Sequence, residues 1–203
     1  IKGPSFLIGE NDSDLLQLAC FHGCARSVIA HIANLYPGDK VDFEVRSGTF
    51  GIRQAQGLNL LLPRLTKFVC CPSSCEIEGF RVLLELLAKN TSITYLSLVL
   101  PAQLASPAMY RRAYSALTEL LDRNQTIASI RIISKEEGNQ AHYIDSASLR
   151  TVAKGLKSNK TIKLLAIEAF SLTGKALVNF LASGSVPKDF SLCDTDVVDG
   201  DEL

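Results

Sequence analysis

Apolar positions in the middle of the chain follow two periods that come in turn. Phe80, Leu83, Leu84 and Leu87 stand at i, i+3, i+4 and i+7, the spacing that lines one face of a helix. Leu149, Val152, Ala153 and Leu156 repeat it. Each stretch leads through an Asn-containing turn into a pattern of the form LxxLxL: Ile93, Leu96, Leu98, then Ile127, Ile130, Ile132, then Ile162, Leu165, Ile167. The last two members of each triplet alternate as the buried residues of a strand do. The phrase LLELLAKNTSITYLSL is thus respelled as LTELLDRNQTIASIRI and as VAKGLKSNKTIKLLAI. Its turn residues Asn90, Asn124 and Asn159 are spaced by 34 and 35 residues, and a weaker copy, LVNFLASGSVPKDFSL, puts Gly184 in their place. Self-similarity at such a period predicts a solenoid.

The borders between copies have physical causes. Ser106 is placed to cap helix amides ahead of Pro107, whose missing donor costs nothing at a first helical position. Asp145 or Ser146 does the same before SASLRTVAKGL, and Thr173 before GKALVNFL. The turn Asn is expected to end its helix in the left-handed conformation. Each unit then holds one helix and one strand, neither of which buries its apolar face alone, so successive units are predicted to stack through a shared core. Upstream, Leu65, Phe68 and Cys70, and before them Phe43 and Val45 beyond Pro37-Gly38, offer weaker strand copies, which makes five or six units.

ALTELLDRNQTIASIRI and TVAKGLKSNKTIKLLAI resemble leucine-rich repeats of the ribonuclease-inhibitor-like subtype, and the resemblance covers about residues 77–193. It departs from the family in spacing and in the Asn expected beyond each strand, where Pro101, Lys135 and Phe170 stand. The resemblance implies an α/β leucine-rich-repeat solenoid with convex helices and a concave parallel sheet. DLLQLACFHGCARSVIAHIAN is similar to an ankyrin phrase through Leu16, Leu18, Ala19, Gly23, Val28 and Ile29. The organisation expected is a helical N-terminal cap or divergent first repeat over 1–36, the repeat array over 37–193 and an acidic tail over 194–203.

Composition adds exclusions. The 203 residues are 47% hydrophobic, with 21 basic and 21 acidic side chains, so nothing points to a nucleic-acid partner held by bulk charge. Asp194, Asp196, Asp199, Asp201 and Glu202 concentrate acid in the tail. No apolar run reaches the roughly 18 residues of a membrane span and no leader pattern is visible, so no membrane association is expected. The first residue, Ile rather than Met, reads as the start of a fragment or processed product. A cytoplasmic location is expected, with secretion into a host cell as the other option.

Candidate chemistry is sparse. Cys20 and Cys24 flank His22, and Cys70, Cys71 and Cys75 stand in CCPSSC, but the spacing is looser than a zinc knuckle and Cys70 already has a strand-core position. Reduced structural cysteines and no metal or cofactor are expected. The three histidines, His22, His31 and His142, accompany no GxSxG or HExxH phrase, Cys24 and His31 are two helical turns apart, and LTGKAL around Lys175 is an incomplete phosphate loop. The chain is therefore read as no enzyme; the rival is a thiol transferase or ubiquitin ligase using the cysteine-rich amino-terminal region. Glycosylation motifs at Asn11, Asn90, Asn124 and Asn159 are, in three cases, the repeated turn itself.

Function is then read from the strand positions between the buried ones, which must point outward. These are Tyr95, Ser97 and Val99, then Ser129, Arg131 and Ile133, then Leu164, Ala166 and Glu168, with Lys67, Val69, Glu44 and Arg46 upstream. An aromatic residue, Arg and apolar groups together suit a protein interface. The predicted partner-binding residues are Glu44, Arg46, Lys67, Tyr95, Ser97, Ser129, Arg131 and Glu168, on a scaffold expected to bind a protein partner. By resemblance, such an array serves as the target-recognition part of a larger regulator or of a bacterial effector. Loops at 101–114 and 135–147 are the competing location.

Overall fold

Period-two alternation becomes strand from the first residue placed in the computed structural model, which describes residues 6–11, 15–20, 29–30, 34, 40–45, 49–71, 74–100, 107–134, 142–144 and 146–198. β1 (Phe6–Asn11) and β2 (Leu15–Cys20) are followed by β3 (Lys40–Val45), β4 (Thr49–Phe50) and α1 (Ile52–Leu58). A short 3-10 turn (Leu62–Arg64) leads into β5 (Leu65–Cys70), β6 (Ser74–Cys75) and α2 (Ile77–Ala88). Next come β7 (Tyr95–Leu100), α3 (Pro107–Arg123), β8 (Ser129–Ser134), β9 (His142–Ile144) and α4 (Ser146–Ser158). The last described elements are β10 (Leu164–Glu168), β11 (Phe170–Thr173), α5 (Gly174–Ala182), β12 (Asp189–Cys193) and β13 (Asp196–Val198).

The protein is mixed α/β, a parallel sheet flanked by helices. Among the described residues the main sheet has eight strands in the order β1-β2-β3-β5-β7-β8-β10-β12, which is chain order with the short strands left out. Only β1 runs antiparallel to its neighbour; every pairing from β2 onward is parallel. Each helix packs on the next one in the chain. Leu96, Leu98, Ile130, Ile132, Leu165 and Ile167 are buried in one core with Leu83, Leu84, Leu87, Leu117, Leu121 and Leu156 of the helices. Phe43 stacks on Phe68 across β3 and β5, ring centroids 6.1 Å apart, so the upstream strand copies join the same core.

Three expectations are corrected. The first concerns residues 1–36, expected to be a helical cap or a divergent first repeat: Phe6–Asn11 and Leu15–Cys20 are strands, which corrects the helical cap, and among the described residues only Ile29, Ala30 and Asn34 are helical there. The reason lies in Leu16, Leu18 and Cys20, whose period of two gives them register positions beside Val41, Phe43 and Val45. The second concerns the one-helix, one-strand unit. A second short strand follows the first in most units, and these strands pair among themselves in parallel, β4 with β6 and β13-β11-β9. Phe50, Ile144, Phe170 and Leu172 are the buried residues that hold them down. The corner before β11 is Ala169 at φ 57°, and its register equivalent before β13 is Asp194 at φ 47°.

The third correction concerns the turn Asn. None of Asn90, Asn124 and Asn159 is left-handed; the described non-glycine residues with positive φ are Ala169 and Asp194. The asparagines act through their side chains. Asn124 Oδ1 accepts from the amides of Thr126 and Ile127 at 2.9 and 2.8 Å, shaping its own turn. Its Nδ2 donates to Leu87 O at 2.8 Å and Asn90 O at 2.9 Å, tying that turn to the preceding unit. Asn159 repeats the arrangement onto Leu121 O and Asn124 O, and Asn90 donates to Leu62 O. Leu62, Asn90, Asn124 and Asn159 thus form a ladder in which each backbone carbonyl receives the next side-chain amide. At the fourth copy Gly184 has no side chain to accept with, and Pro187, where Ile93, Ile127 and Ile162 donate an amide, has none to give. Both halves of the bond are missing together, and Gly184 turns instead through φ 67°.

One of the caps foreseen is present. Thr173 Oγ1 accepts from Ala176 N at 3.1 Å ahead of α5, and α3 begins at Pro107. Ser106 and Asp145 lie outside the described residues.

Candidate functional site

Parallel register lines up the outward side chains in rows across the sheet, because equivalent positions on neighbouring strands stand about 4.8 Å apart. One row runs Asp42, Lys67, Tyr95, Ser129, Leu164, Asp189. The next runs Glu44, Val69, Ser97, Arg131, Ala166, Ser191. A third holds Val99, Ile133, Glu168 and Cys193. The rows place together most of the residues predicted for partner binding.

Four of them form two contact pairs. Arg131, exposed on β8, reaches diagonally to Glu168 on β10, with Nε on Oε1 and Nη2 on Oε2. This two-point ion pair raises the affinity of the guanidinium for its proton, through the hydrogen bond first and the carboxylate charge next; the Tyr95 phenol acts more weakly in the same direction and partial burial against it. Such paired bonds fix the plane of the guanidinium as well as its position. On the other side, Lys67 Nζ lies 5.3 Å from the centroid of the Tyr95 ring, within cation–π range. Lys67 with Tyr95 and Arg131 with Glu168 are therefore two held pairs, side by side on β5, β7, β8 and β10.

The remaining predicted residues fare differently. Ser129 is half-buried in the row of Tyr95. Glu44 is half-buried one row over, on β3. Arg46 lies outside the described residues. Ser97 is corrected: it points outward by register yet is only 1% exposed, and its Oγ has no hydrogen-bond partner among the described residues. A serine flanked by Val69 and Arg131 is too short to rise between them, so it supplies no contact surface. Of the competing loop residues, Arg111 and Arg112 are exposed on α3, while Glu136 and Glu137 are outside the described residues.

Cys70 is buried and Cys71 partly so; the side chains of Cys20 and Cys75 and all of His22, Cys24 and His31 are outside what is described. Among the described residues no group of three or more His, Cys, Asp or Glu stands together to hold a metal ion, and no helix is long and apolar enough to cross a membrane. Clefts of about 250 and 240 Å³ lie at the turn edge, around Asn159 and Gly184 and around Leu62 and Asn90, away from the outward sheet face. The glycosylation motifs at Asn90 and Asn124 have their Nδ2 atoms buried in the ladder, where no sugar fits without breaking it. No family model matches this chain, and no curated protein sequence matches it.

Proposed function

We infer that the chain is a leucine-rich-repeat scaffold of the ribonuclease-inhibitor-like subtype, without catalytic activity of its own, that binds a protein partner on the outward face of its sheet. The chain-ordered strands and the ladder from Leu62 to Asn159 support the repeat assignment. The binding assignment is carried by one observation, the two held pairs Lys67 with Tyr95 and Arg131 with Glu168 on four neighbouring strands. Aromatic and Arg side chains fixed before binding lose little freedom on association, which is what makes such residues dominate interface energetics.

The test is position-specific cross-linking followed by affinity measurement. A photoreactive side chain at Ser129, in the row of Tyr95, is expected to capture the partner, and one at exposed Lys154 on α4 is not. With the captured partner in hand, Tyr95→Ala and Arg131→Ala should each raise Kd about tenfold or more with unchanged circular dichroism. Normal binding by both variants, with loss on changing Arg111 and Arg112, would move the site to the loop edge.

A further inference from the structure

β3 and β5 depart from simple register at one step. Val41 pairs with Leu65 and Asp42 with Lys67, so Thr66 is an extra residue on β5, a β-bulge. Bulges between parallel strands are rare, and they re-aim the side chains beside them. Thr66 O accepts from Thr94 N at 2.9 Å and from Thr94 Oγ1 at 3.2 Å, which ties the bulge to the residue before Tyr95. The Thr66 hydroxyl turns the other way, to β3. It donates to Asp42 Oδ1 at 2.7 Å, with Val41 O farther off at 3.3 Å.

Asp42 and Lys67 are opposite charges in register on strands about 4.8 Å apart, the placement from which cross-strand ion pairs form. Among the described residues no ion pair joins them. The Lys67 ammonium lies instead beside the Tyr95 ring on the opposite neighbour β7, 5.3 Å from its centroid. Relative strength accounts for the choice. At 2.7 Å the bond from Thr66 is a charge-assisted one, roughly twice as strong as a bond between neutral groups, whereas an ion pair made by a solvent-exposed lysine contributes little. Lys67 is exposed, and Asp42 and Thr66 are half-buried.

We propose that Thr66 is a positioning residue of the outward sheet face: its hydroxyl holds the Asp42 carboxylate, and the Lys67 ammonium, left without that partner, is delivered to the Tyr95 ring. The pair is thereby set before a partner arrives. Its use in binding rests on the partner site inferred above, while the positioning itself does not.

Carbon–proton correlation spectra of lysine-labelled protein test the positioning without any partner, because protons over an aromatic ring are shifted upfield. The ε-methylene signal that Lys67→Ala removes is expected upfield of the other lysines in the wild type and in Thr66→Ser, which keeps the hydroxyl. Thr66→Val has the same shape and suits a strand, and it should return the signal to the ordinary position as Lys67 turns to the released Asp42. Combining Thr66→Val with Asp42→Asn should restore the upfield shift, since no carboxylate then competes. A hydroxyl that merely supported the fold would not be rescued by a change at Asp42. A wild-type signal at the ordinary position, a signal that Thr66→Val leaves upfield, or a double variant that stays unshifted would each overturn the proposal. With the captured partner, Thr66→Val should raise Kd about threefold and the double variant should recover it. An unchanged Kd alongside the expected spectra would overturn the use of this pair in binding and leave Thr66 its positioning role.

Discussion

Replacing Asn124 by Ala removes one side chain from the middle of the ladder. Asn124 is 2% exposed and its amide group makes contacts on both sides. Truncation leaves the amides of Thr126 and Ile127 without their acceptor and the carbonyls of Leu87 and Asn90 without this donor. Leu87 O still accepts the Asn90 amide, so three groups are left unsatisfied; at about 1 kcal/mol each they sum to about 3 kcal/mol, a large share of the roughly 5–15 kcal/mol by which domains are stable. Asn159 makes the equivalent bonds from a half-buried position where water can replace them, so Asn159→Ala should cost about half as much. Urea unfolding followed by far-ultraviolet circular dichroism measures both. Because the lost bonds join neighbouring units, Asn124→Ala should also lower the m-value, as the halves of the stack begin to unfold separately. A loss below about 1 kcal/mol, against the expectation from these three groups, would show that the ladder contributes little and that apolar stacking alone sets the register.

Two further substitutions probe backbone and packing. Ala169→Gly relieves a non-glycine residue held at φ 57° at the corner between β10 and β11, and should stabilise the protein by about 1 kcal/mol, read as a rise of about 2–4 °C in Tm. Gly155→Ala drives a methyl against the α3 backbone at Thr118 and should destabilise by about 2–3 kcal/mol in the same urea assay, whereas helix propensity alone predicts a gain.

The core was legible because its residues announce themselves by period: Leu83, Leu87, Ile130 and Leu165 are buried where the helical and strand spacings put them. The row partners of Tyr95 and Arg131 were legible for the same reason, since aligning the turns also aligns the strands. Bonds made at a distance were not. The spacing of Asn90, Asn124 and Asn159 showed that the turn repeats, but an Asn that ends a helix by its backbone and one that bridges two units by its side chain are spelled alike. The short strands β4 and β6 have two residues each, too few to show a period, and single apolar residues such as Phe50 are their only trace. In the site, the Arg131 pairing with Glu168 runs diagonally between rows, so no single alignment column contains it. The burial of Ser97 depends on the size of what stands beside it, which alternation does not report.

The ladder also separates two properties that repeat proteins usually carry together. From Leu62 to Asn90, Asn124 and Asn159 the intervals are 28, 34 and 35 residues, yet each rung makes the same bond to the one before. The spacing at one edge is set by a fixed hydrogen bond, while the length between rungs varies elsewhere: first in the helix, 12 residues in α2 against 17 in α3, and then in the passage from strand to helix, which spans 101–106 after β7 and 135–145 after β8. Insertions between Leu100 and Pro107 or between Ser134 and His142 should therefore lengthen one unit without shifting its neighbours, which makes each interval between rungs an interchangeable cassette for grafting recognition segments onto a constant spine.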